Sequence, residues 1–173
     1  MRPNLARRAL VTSAALGLVL TTPAVAHPRP VPDTNARIKV VLTVQGPGGL
    51  LFRGRIKTRG HDVTTATSGT HTCDGTNDSA YPSAVPTPTA ALDDAAKKRR
   101  FTWDGTWHAS FDDFSVDTIK NVSGGSTAYW SISVNGIPIP VGGCQFKLQA
   151  SDQVAFTWTA ISLVQDLSRP LHQ

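Results

Sequence analysis

The chain contains no glutamate: all 12 of its acidic residues are aspartates. Glycoside hydrolysis by paired carboxylates would therefore have to use aspartates, from a set that includes Asp94, Asp104, Asp112, Asp113 and Asp117. Aspartate is also an ordinary turn residue, and these are expected to be water-facing groups of turns and strand edges. A Gly-x-Ser-x-Gly elbow is missing, and His27, His61, His71, His108 and His172 stand in no nucleophile motif, so no catalytic residue is assigned. An EF-hand pattern is missing too, which leaves Asp74, Asn77 and Asp78 as polar loop residues. The only two cysteines, Cys73 and Cys144, lack the close Cys or His partner that zinc spacing requires. Neither a metal nor a cofactor is expected.

Long apolar runs are also lacking. The stretch Ala9 to Leu20 is the longest, and it is shorter than the roughly 20 residues of a membrane anchor. Arg2, Arg7 and Arg8 precede it, Pro23 follows, and Ala24-Val25-Ala26 gives a small-residue ending, the order of a cleavable signal peptide over residues 1–26. The expectation is a secreted, extracellular protein with no membrane span after cleavage. Three of the 17 basic residues leave with that leader and none of the acids does, so the formal charge of +5 shrinks on processing. One dense basic cluster remains, Lys97-Lys98-Arg99-Arg100, which is a thin footprint for nucleic acid, and no nucleic-acid partner is expected. In an oxidising compartment Cys73 and Cys144 are expected to pair.

Residues 27–36 hold Pro28, Pro30 and Pro32 and read as an extended leader. From there Ile38, Val40, Leu42 and Val44 alternate as one face of a strand. Gly46-Pro47-Gly48-Gly49 supplies a turn, and Leu50, Phe52 and Ile56 return against a charged outer face of Arg53, Arg55 and Lys57. Residues 60–86, rich in Thr, Ser, Gly, Asp and Pro, read as a long loop tethered through Cys73. Thr87 as N-cap and Pro88 at the first helical position open the one helix, Ala90 to Arg100. Its aspartates come early and its bases late, in accord with the helix dipole, which gives the basic cluster a structural explanation. Asp104-Gly105 reads as a turn after a short strand, with Trp107 and His108 in a loop beyond it. Phe111 to Ile119 reads as a weakly patterned strand. Trp130, Ile132 and Val134 form a strand face before the hairpin signal Asn135-Gly136, and Val154, Phe156, Trp158 and Ala160 form the last strand. One domain over residues 37–163 is expected, with 164–173 as a tail. A hairpin, a helix and more strands make an α+β order, in which one short helix packs on a β-grasp-like mixed sheet stapled by a disulfide.

Three stretches carry a family resemblance. Tyr129-Trp130-Ser131-Ile132-Ser133-Val134-Asn135-Gly136 is followed by Val141-Gly142-Gly143-Cys144-Gln145-Phe146 and then by Asp152-Gln153-Val154-Ala155-Phe156. Over roughly Ile38 to Ile161 the chain resembles the uncharacterised secreted bacterial domains related to the C-terminal domain of transcobalamin and intrinsic factor. Ser151-Asp152 stands where that family has Gly-Asp. The resemblance implies a β-grasp fold, and it opens the alternative of a carrier for a cobalamin-like small molecule that needs a partner domain. The leading expectation is a non-catalytic binding or cell-surface interaction domain, its partner an unidentified extracellular ligand; a polymer hydrolase working through aspartates is the other alternative. Flat rings give large contact area, and Trp107, Tyr129 and Trp130 are the expected ligand-binding residues, although Trp130 lies on an inward stripe.

Overall fold

The computed structural model describes residues 33–161. The proposed signal peptide, most of the proline-rich leader and the tail lie outside the described residues.

Alternation builds the central sheet. In β1 (Ile38–Gly46) Val40, Leu42 and Val44 are buried while the odd-numbered residues between them face the other side. β2 (Gly49–Thr58) folds back antiparallel on β1, with a register shift between Val44 and Gln45, and contributes Ile56 to the same face. The last strand, β10 (Gln153–Ala160), lies parallel to β1 on its other side, with Leu42 opposite Val154 and Val44 opposite Phe156. β8 (Ala128–Val134) pairs antiparallel with β10, and β9 (Ile137–Pro138) closes a hairpin on β8. The order is therefore β2-β1-β10-β8-β9, a mixed sheet. The β8–β9 turn carries Asn135 at φ 53° and Gly136 at φ 81°, the left-handed pair that a tight hairpin turn demands.

The helix α1 (Pro88–Arg99) starts as its sequence dictates: the Thr87 side chain accepts the Ala90 N–H, and Pro88 occupies the first turn. Ala91, Leu92 and Ala95 pack onto Leu42, Ile56, Phe156 and Leu148 in the main core. Lys97 pairs with Asp93 at 2.6 Å, one turn back along the helix. Asp94 turns instead toward His61, whose Nε2 lies 3.3 Å from Asp93 and 3.6 Å from Asp94.

Two smaller sheets complete the domain. β3 (His61–Thr65) and β4 (Gly69–Cys73) form a hairpin inside the segment expected to be a loop. The reason is visible in its inward residues, Val63, Thr65 and Cys73: one strong hydrophobe among threonines gives no apolar alternation to read. β5 (Trp103–His108), β6 (Asp113–Ile119) and β7 (Val122–Ser123) form an antiparallel set. Asp104-Gly105, expected to be a turn, is a register shift within β5. Gly105 is required there because a Cβ would strike the carbonyl of Ser115 on β6. Trp107 and His108 accordingly belong to a strand and not to a loop. Cys73 and Cys144 are bonded, and with Val63 and Phe114 they form a second core, joined to the first through Trp103, which packs against both. No helix among the described residues is long and apolar enough to cross a membrane.

Candidate functional site

A groove runs between β6 and β8, walled at one end by the 138–143 segment. It consists of three confluent depressions of about 460, 380 and 470 Å³. The first and second share Phe114, Ser115, Val141 and Gly142; the second and third share Ser115, Val116 and Tyr129.

The groove exists because two strands leave an edge uncovered. β9 pairs with β8 only at Ser133 and Val134, and β7 pairs with β6 only at Thr118 and Ile119. On β8 the Ile132 carbonyl accepts from Ile139 and the Ala128 N–H donates to Gly124, so the even-numbered residues turn their backbone away from β10. Trp130, between them, turns its peptide groups the same way, into the groove.

Three exposed apolar side chains line this surface: Phe111 at 67 %, Tyr129 at 51 % and Val141 at 45 %. Phe111 meets the His108 ring edge-on, with centroids 6.3 Å apart. Asp113, in the end depression, is almost fully buried and accepts from the backbone N–H of Cys144 at 3.0 Å and of Phe114 at 2.7 Å. Burial pushes its carboxyl up to about 6 against the pull of those N–H groups, and neighbouring Asp112 adds to the rise. Gly142 is fixed by this contact, since a Cβ there would collide with the Asp113 carboxylate. Gln145 spans the same end, its amide donating to the Phe111 carbonyl at 2.7 Å. Among the described residues no lysine or arginine lines the groove, whereas Asp78, Asp113 and Asp117 do.

Of the expected binding residues, Tyr129 and Trp130 both border the groove and Trp107 does not. Tyr129 is exposed in the groove. Trp130 is 6 % exposed, part of the main core, and its Nε1 donates to the Val122 carbonyl at 3.3 Å. Trp107 is half-buried beside the second core, stacked on His71 at 4.2 Å between ring centroids and edge-on to Phe114. The groove does not include it. Sequence reasoning passed over Phe111, Val141 and Asp113 as binding residues. The exposed Phe111 and Val141 sit where strand patterning fails, and that failure was the available signal.

The aspartates considered for hydrolysis also separate. Asp94 faces His61, Asp104 holds Thr67, and Asp112 accepts the Asp78 N–H. Asp117 accepts from Thr106 at 2.6 Å and from Ser115 at 3.2 Å, while His108 Nε2 lies 2.9 Å from the same Ser115 hydroxyl. A nucleophile relay needs the acid on the far nitrogen of the imidazole. Here the acid meets the hydroxyl directly, which makes a polar ladder across β5 and β6. Asp74 accepts from Thr76 within its own loop, whereas Asn77 bridges outward, donating to the carbonyls of Thr72 and Asp112.

Residues 101–160 match a family described as Domain of unknown function (DUF4430). The match begins just past α1 and runs through β10, leaving β1, β2, β3, β4 and all of α1 outside it. No curated protein matches the chain.

Proposed function

We propose that the protein is a secreted, non-catalytic binding module whose ligand lies in the β6–β8 groove. The observation that carries this reading is the cluster of Phe111, Tyr129 and Val141, three large apolar side chains held open to solvent along one continuous depression. Isolated exposed hydrophobes are ordinary, but a contiguous rimmed patch marks an interaction surface. The open backbone of Trp130 and the Thr106–Asp117–Ser115–His108 ladder add directional polar groups beside the apolar ones.

The relation to the transcobalamin C-terminal domain belongs to the same reading. Its support is the strand order: a hairpin, a helix, and a last strand running parallel to the first at the centre of the sheet. That connectivity is what a β-grasp domain requires. Secretion draws support from the charged-apolar-small order of residues 1–26 and from the disulfide.

The test is calorimetric titration of the purified protein with cobalamin and with soluble cell-wall glycans, followed by chemical-shift mapping of whichever binds. A groove ligand shifts Phe111, Tyr129 and Val141 together, and Tyr129→Ala weakens it about tenfold, the loss typical of a truncated aromatic anchor. Cobalamin binding would select the carrier form of the proposal, and turnover of a glycan would reject the non-catalytic one.

A further inference from the structure

The opposite edge of the sheet carries a different chemistry. From Thr34 to His61 the sequence contains no acidic residue, yet it holds Arg37, Lys39, Arg53, Arg55, Lys57 and Arg59, all exposed. Four of them occupy alternate positions, 53, 55, 57 and 59, so the three within β2 project from one face. The antiparallel register then sets Lys39 of β1 directly opposite Lys57, and Arg55 opposite Val41. This face is the one that α1 does not cover, since the helix packs on the side of Val40, Leu42 and Ile56. The sequence shows one basic cluster in a continuous run; the register assembles a second from two strands.

Like charges placed directly across an antiparallel pair are destabilising. Nothing local offsets them: among the described residues, the ion pairs link His61 and Lys97 to Asp93 and Asp94, on the helix side. Asp152, next to β10, directs its carboxylate to the Asn135 amide and the Gln149 N–H, each at 2.8 Å. The bland explanation is edge protection, because lysines on an edge strand discourage pairing with another chain. It accounts for charges on β2. It does not account for Lys39, whose strand is already covered on the side away from β2: its carbonyl accepts the Ser151 N–H at 2.7 Å, just ahead of the β10 ladder that begins at Val41.

Lys39, Arg53 and Arg55 also line a depression of about 440 Å³, together with the polar Ser151 and Gln153. Along β2 successive cations stand about 6.8 Å apart, two residues of extended chain. The odd-numbered residues of β1 and β10 place no aromatic ring beside these cations; the ring this face does carry, Tyr129, lies on β8 beyond β10, away from them.

We infer that the uncovered face of the β1–β2 hairpin binds a linear, phosphate-linked polymer lying along β2. The cations recur at a wider interval than directly linked phosphates do, so each meets more than one phosphate of such a chain, and charge complementarity supplies the attraction. This surface is separate from the β6–β8 groove, at the other edge of the sheet, so each stands or falls alone.

The probe is inorganic polyphosphate, titrated into the purified full chain at several salt concentrations, with a mixed-sequence single-stranded oligonucleotide and phosphatidylglycerol vesicles as comparators. Polyphosphate is expected to bind most tightly, with affinity falling steeply as salt rises. R53Q/R55Q should weaken it about tenfold and reduce the slope of log affinity against log salt by about 0.7–0.9 for each phosphate no longer neutralised. K98Q/R99Q, which removes the same charge from the helix, should leave affinity within about twofold, since remote charges are screened. Equal losses in both double variants would overturn the assignment, because net charge alone would then explain binding. So would no binding of polyphosphate, or tighter binding of the oligonucleotide or the vesicles.

Discussion

The described residues form two cores, and they are held together by different means. The main core unites the sheet and α1 through fully buried side chains, among them Leu42, Ile56, Leu92, Leu148 and Phe156. The second is made of Val63, Phe114 and the two cysteines, with Trp103 and Trp107 packed at its margin. Four buried residues cannot bury enough apolar area to hold a hairpin by themselves, which is the situation in which small folds recruit covalent links. The disulfide thus stands where packing is thinnest. It also ties β4 to the segment that walls the groove, so the weaker core is the one next to the candidate site.

Damage to the two cores should therefore differ in kind. The largest effect is expected from Phe156→Ala, a fully buried ring at the sheet centre, at about 3–5 kcal/mol of global stability by denaturant titration. Removing the disulfide as Cys73→Ala/Cys144→Ala comes next. It closes a loop over a sequence separation of 71, worth about 4 kcal/mol in the loop-closure account and commonly about 2–5 kcal/mol when a native bond is removed. Hydrogen exchange should show protection falling first in β3, β4 and residues 142–145, with β1 and β10 retained; a uniform fall across the sheet would show that the two cores are one cooperative unit.

Asp113 sharpens the comparison from the acid side. Its carboxyl titrates at about 6 in the folded protein against 3.8 for an ordinary aspartate, so the folded state binds its proton more tightly. The stability contributed by this group is therefore full below about pH 4 and declines as pH rises to about 6. Asp113→Asn should flatten that part of the profile of Tm against pH; an unchanged slope would mean that burial is not what governs the group. The smallest change expected is from Thr87→Ala, about 1 kcal/mol for the missing helix cap. Because Thr87 also donates to the Cys73 carbonyl at 3.0 Å, the effect should be felt in both cores, and exchange limited to the first turn of α1 would contradict that link.

What could be read from the sequence follows the same division. Strong hydrophobes in regular spacing revealed β1, β8, β10 and, with Thr87 and Pro88, the helix. Cys73 and Cys144 pair as the cysteine count suggested. The β3–β4 hairpin escaped because threonine and cysteine serve as its inward residues, and Asp104-Gly105 misled because the glycine answers a carbonyl across the sheet, not a reversal of the chain. The groove was legible in Tyr129 and, through its backbone, in Trp130. Phe111, Val141 and Asp113 come together through contacts distant in sequence, such as Asp113 with Cys144, and no local pattern encodes those. The paired lysines of β1 and β2 were equally hidden, since only the register sets them face to face.

The parallel pairing of β1 with β10 also has a kinetic consequence. The first strand of the domain finds its central neighbour only in the last, so the middle of the sheet cannot close until nearly the whole domain has been synthesised. Closing so long a loop before its contacts reward it is the slow kind of folding. A newly made chain would remain open over that interval, the state in which a polypeptide can still be threaded through a narrow pore.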